Sequence, residues 1–75
     1  MKQRQKEAVS IWLYEEYRRL WIEKGHEPHK RNNWKIVAAV MERIEAAGIW
    51  LPEQEVTNYF YRRKSHYRNR IEKEL

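Results

Sequence analysis

Gly25, Pro28, Gly48 and Pro52 are the only glycines and prolines in this chain, and they fall in two clusters between three segments of apolar periodicity. Such residues break helices, and the apolar positions between them recur at helical spacing, so the punctuation sets the number of elements. The first segment runs over about residues 5–24. Val9, Leu13, Tyr17 and Leu20 fall on one face with Trp21 beside them, and Glu15, Glu16, Arg18, Arg19 and Glu23 supply the wet side. Gly25 is a fitting stop, and GHEPHKRNN then reads as a loop. A second helix over about 33–47 starts at Asn32 or Asn33, either of which can cap free backbone N–H groups. Its repeat is Trp34, Val37, Met41 and Ile44, and Gly48 ends it. Ile49, Trp50 and Leu51 make a short apolar turn over the core. Pro52 suits the first position of a third helix over about 52–73, where its fixed φ fits and its missing N–H costs nothing. Glu53 and Glu55 sit where the helix dipole favours negative charge. Val56, Phe60, Tyr67 and Ile71 form the inward stripe, flanked by Tyr59 and Arg63. The expected architecture is all-α: a three-helix bundle over residues 9–75, preceded by a basic arm over residues 1–8.

A chain of 75 residues holds one small core, with about 3–5 kcal/mol of net stability. At 41% hydrophobic it is too apolar for a disordered tail. Four tryptophans and five tyrosines let few residues bury much area. Without cysteine there is no disulfide and no thiolate metal site. No apolar run approaches the ~18 residues a membrane helix needs, and no stretch of signal-peptide type follows MKQRQK. The net charge of +5 favours a polyanionic partner.

That charge is unevenly spread. Val56 to Ile71 contains Arg62, Arg63, Lys64, Arg68 and Arg70 and no carboxylate. With Val56, Phe60 and Tyr67 inward, the opposite face carries Asn58, Tyr61, Arg62, Ser65 and Asn69, with His66 and Arg68 on its edges. Guanidinium, amide, hydroxyl and aromatic groups are those that read base edges or grip phosphates. A solvated helix ordinarily mixes lysine with glutamate for i,i+4 pairing, as the second helix does with Glu42 and Glu45. The competing account is a plain solvated face, with arginine stems covering apolar surface.

These segments resemble the Myb/SANT and homeodomain group of helix-turn-helix modules. NNWKIVAAV is similar to the second helix of a Myb repeat, an asparagine-flanked tryptophan before a short aliphatic-alanine core. PEQEVTNYF is similar to the start of a Myb recognition helix. VTNYFYRRK resembles the homeodomain pattern of an aliphatic residue, an aromatic pair and two arginines. The resemblance spans roughly Ser10 to Tyr67. It implies Trp12, Trp34 and Phe60 as the regularly placed core aromatics. It implies that Asn58, Tyr61, Arg62 and Ser65 face the major groove of duplex DNA and that Arg63 and Lys64 approach phosphates. Lys2 and Arg4 would stand where a homeodomain arm enters the minor groove. Arg62 occupies the homeodomain's adenine-reading asparagine position, and its two-pronged donor suits guanine instead. The longer spacings from Trp12 to Trp34 and from Trp34 to Val56 mark a divergent member. The resemblance also implies the compartment: the nucleus in a eukaryote, the nucleoid in a bacterium or phage.

The expected function is duplex DNA binding in transcription or chromatin regulation, with Arg68 and Asn69 completing the candidate interface. The alternative is a SANT-like protein-interaction module for an acidic partner. RNA is less favoured, because a helical bundle lacks the sheet platform of common single-strand binders. An enzyme is not expected, since no catalytic constellation or glycine-rich phosphate loop is present. His26 and His29 flank Glu27, but with His66 distant the expectation is a polar loop and no metal or other cofactor. Trp21 and Trp34 are expected in the core; Trp12 or Trp50, if exposed, would mark a partner surface.

Overall fold

The computed structural model describes residues 2–75; Met1, the first residue of the expected arm, lies outside them. Helix α1 spans Gln3–Lys24, a short 3-10 turn spans Lys30–Asn32, α2 spans Asn33–Ala46 and α3 spans Glu53–Glu74. The described residues form three helices and no strand, as the apolar spacing requires.

Within the expected basic arm, residues 3–8 form the opening turns of α1, which starts two residues before the expected position. Gln3, Gln5, Lys6, Glu7 and Ala8 all have good helix propensity, so nothing halts the helix before Lys2. Gly25 stops it at φ 76°, donating its N–H to the Trp21 carbonyl at 2.8 Å. Gly48, at φ 74°, ends α2 with a paired closure: its N–H reaches Glu45 at 3.0 Å and the Ile49 N–H reaches Ile44 at 3.1 Å. This two-bond lock puts Ile49 against the end of the helix it terminates. Pro52 stands one residue before α3, with extended backbone, and its carbonyl accepts the Glu55 and Val56 N–H groups. It therefore caps the helix instead of forming its first residue.

All three helices supply the core: Val9, Leu13 and Tyr17 from α1, Ile36, Val37, Val40 and Ile44 from α2, and Val56, Phe60, Tyr67 and Ile71 from α3. Tyr17 meets Phe60 edge to face at 5.8 Å, the arrangement the ring quadrupoles favour. Ser10 and Tyr67 share a hydroxyl hydrogen bond of 2.8 Å that ties α1 to α3.

Several expected positions shift. Trp34 is 64% exposed, and Met41 and Trp12 are half-buried. The buried stripe of α2 runs through Ile36, Val37, Val40 and Ile44, whose short branched side chains fill the narrow gap between helices. Of the apolar turn, Leu51 is buried, Ile49 is half-buried and Trp50 is 83% exposed. Leu20 and Trp21 are half-buried at the margin of the core. Glu16, expected in water, is buried. Its carboxylate accepts from Arg19 at 2.8 Å and pairs with Arg43 at 3.0 Å, and that pairing is what makes its burial tolerable.

Candidate nucleic-acid interface

The face in question exists because α3 is anchored on one side only. Leu51, Val56, Phe60, Tyr67 and Ile71 are buried, which turns the other half of a 22-residue helix outward. Asn58, Tyr61, Arg62, Ser65 and Asn69 are all exposed on that half. Asn58 accepts a hydrogen bond from Gln54 at 3.0 Å, one turn earlier. Arg62 makes no ion pair and Asn69 no hydrogen bond among the described residues. Both stay available to a ligand.

The remaining cations of α3 divide between its edges. Lys64 is half-buried and donates to Asn33 Oδ1 at 3.3 Å. Burial holds its pKa below the ordinary lysine value, and nearby Glu27 only partly opposes this. Asn33, expected to cap α2, thus spends its side chain on α3, and α2 begins without a side-chain cap. Arg68 lies 3.6 Å from Glu27, which also accepts from the Tyr17 hydroxyl at 3.2 Å. Burial first, and then Glu27, raises the Tyr17 pKa. On the opposite edge Arg63 leans over the Tyr67 ring at 6.0 Å, and Arg70 lies 4.3 Å above Tyr14. Lys2 and Arg4 are exposed at the start of α1, and among the described residues no hydrogen bond or ion pair joins them to α3.

Sequence reasoning missed the neighbour of this face. The connection from α1 folds back so that Glu27, Pro28, His29 and Lys30 border a cleft of about 540 Å³ whose other wall is Tyr61, Lys64, Ser65 and Arg68. Periodicity carries no signal for such a loop; only its basic, proline-containing composition hinted at a fixed shape. The His26 and His29 rings lie 5.5 Å apart. His26 Nδ1 donates to the Glu27 carbonyl at 2.8 Å. Among the described residues no group of three or more His, Asp or Glu side chains is placed to hold a metal ion. Among the described residues no helix is long and apolar enough to cross a membrane.

No family model, curated protein or solved structure matches this chain.

Proposed function

We propose that the protein binds duplex DNA by laying α3 in the major groove, as a divergent homeodomain-like or Myb/SANT-like helix-turn-helix module in transcription or chromatin regulation. The observation that carries this reading is the outward face of α3, where Asn58, Tyr61, Arg62, Ser65 and Asn69 are exposed together. No carboxylate occurs in the chain from Val56 to Ile71. A helix fits the major groove, whose base edges match such donors and acceptors. Arg62, without an ion pair among the described residues, has the forked geometry that grips guanine O6 and N7. Lys64 and Arg68 flank it on the loop side and are suited to phosphates, which fix register without reading sequence.

The test is an NMR titration of the labelled protein with random-sequence duplex DNA. Amide shifts concentrated from Asn58 to Asn69 are the expected result; shifts confined to the outer surfaces of α1 and α2 would refute the reading. A second reading, a SANT-like protein-interaction module for an acidic partner, draws support from Trp34 and Trp50, both exposed. Excess nonspecific DNA separates the two, since it displaces a specific duplex and leaves a protein held through the tryptophans in place.

A further inference from the structure

On the side of α3 away from Lys64 and Arg68, the two long helices leave a furrow. Its middle section, about 290 Å³, lies over Ile11, Tyr14 and Tyr67, with Arg63, His66 and Arg70 along the α3 side. Ile11 and Arg63 carry it on towards Lys6 and Tyr59. His66 and Arg70 carry it the other way, towards Lys73. The furrow thus joins an apolar and aromatic floor to a cationic rim. Ile11 is 56% exposed, a large aliphatic group standing in water. Arg63 and Arg70 already lie against tyrosine rings, so ordering them for a ligand costs little side-chain entropy, although Arg70 must also leave Glu74, 3.5 Å away. The Tyr14 hydroxyl is buried without a partner at hydrogen-bonding distance. Burial first, and then nearby Glu74, raises its pKa.

We propose that this furrow docks an acidic amphipathic segment of a partner protein. Its apolar side chains would sit on Ile11, Tyr14 and Tyr59, and its carboxylates would meet Lys6, Arg63 and Arg70. This is the helix-in-groove mode of recognition, with charge on the rim and anchors beneath. Glu7 and Glu15 stand on the α1 side. An evenly charged phosphate backbone would meet both of them, whereas a peptide can keep its acids on the α3 side alone. A second copy of the chain fits poorly, because each copy carries a net charge of +5. The furrow's floor on Ile11 and Tyr14 belongs to α1 and lies apart from Arg62, while Asn69 borders both its far end and the outward face of α3.

The experiment titrates the labelled full chain with a synthetic helical peptide of about 15 residues carrying leucine or phenylalanine at i, i+3, i+4 and i+7 and Asp or Glu elsewhere. A control peptide keeps the acids and replaces the apolar residues with serine, and a random duplex DNA is the third arm. Expected are shifts at Ile11, Tyr14, Tyr59 and His66 with the amphipathic peptide. Ile11→Ser and the double variant R63Q/R70Q should each weaken it about tenfold, while Arg62→Gln leaves it unchanged. Ile11, Arg63 and Arg70 are exposed, so these variants should keep the fold, which circular dichroism checks. Three results would overturn the proposal: no peptide binding, equal binding by the serine control, or shifts at Ile11 and Tyr14 of α1 that duplex DNA produces and the peptide does not.

Discussion

Arg62 and Phe60 stand two residues apart on α3 and meet opposite surroundings, one in water and one fully buried. Arg62→Ala should weaken DNA binding by about 1–3 kcal/mol and blur the base preference if the guanidinium grips a guanine. Binding assays on a panel of duplexes decide this, and an equal loss on every sequence would make Arg62 a phosphate contact. Phe60→Ala removes a ring that touches Tyr17 and should cost about 3–5 kcal/mol. Against the small total available to such a domain, the variant should be largely unfolded at room temperature, and a normal thermal melt would contradict that. Phe60 was legible in the sequence because the α3 stripe has no rival: apart from Tyr61, the opposite positions are asparagine, arginine and serine. Trp34 was not. Stripes through 34, 37, 41 and 44 and through 36, 37, 40 and 44 share two positions and are both apolar. Which one turns inward depends on where α1 and α3 press on α2, and a single-helix pattern does not contain that information.

The helices are joined by polar ties as well as apolar packing, and these were less legible still. Glu15 and Glu16 of α1 both reach Arg43 of α2, at 2.9 and 3.0 Å. Glu16 is the buried member, so Glu16→Ala strips charge-assisted hydrogen bonds from two arginines and should cost about 1–3 kcal/mol, read as a lower urea midpoint with unchanged slope. A glutamate beside another glutamate gives no sequence sign of which one is covered. At the far end of the bundle Glu74 of α3 pairs with Arg18 of α1 at 3.0 Å. Tyr14 and Arg18 beside Glu74 hold its carboxyl below the ordinary value of 4.5. A depressed carboxylate contributes stability fully above its unfolded pKa and loses it as pH falls through the folded one. The stability that Glu74 adds should therefore fade below about pH 4.5, and Arg18→Gln should shrink that acid-dependent component. Acid titration of both proteins by circular dichroism checks it, and identical profiles would remove the pair from the account. Helix limits were clearer: Gly25 and Gly48 mark their ends at the residue, because both adopt a positive φ that side chains avoid. Helix α1, expected from about residue 5, starts at Gln3, because the basic residues before Val9 are good helix formers.

Taken as one body, the molecule carries +5 but spends part of its positive charge on itself. Arg18, Arg19, Arg43, Arg68 and Arg70 are each within ion-pair distance of a glutamate, while Arg62 has no such partner among the described residues. Attraction for a polyanion therefore depends on which of these internal pairs yield. If about five to seven phosphates are contacted, log K for DNA should fall with log salt at a slope of roughly −5 to −6. Arg68 is the cation whose commitment can be changed without disturbing the fold. Glu27→Gln removes the charge that faces Arg68 and keeps an oxygen for the Tyr17 hydroxyl. The thermal midpoint should stay close to that of the parent, because the pair is partly exposed and worth little to stability. Freed, Arg68 should tighten duplex binding at low salt and steepen the slope by about one, the mark of one further phosphate contact. The measurement is a salt series for both proteins on the same duplex. Parallel lines would mean that Arg68 stays with the loop when DNA is bound, and a slope near zero in the parent would remove the polyanion from the account of this protein.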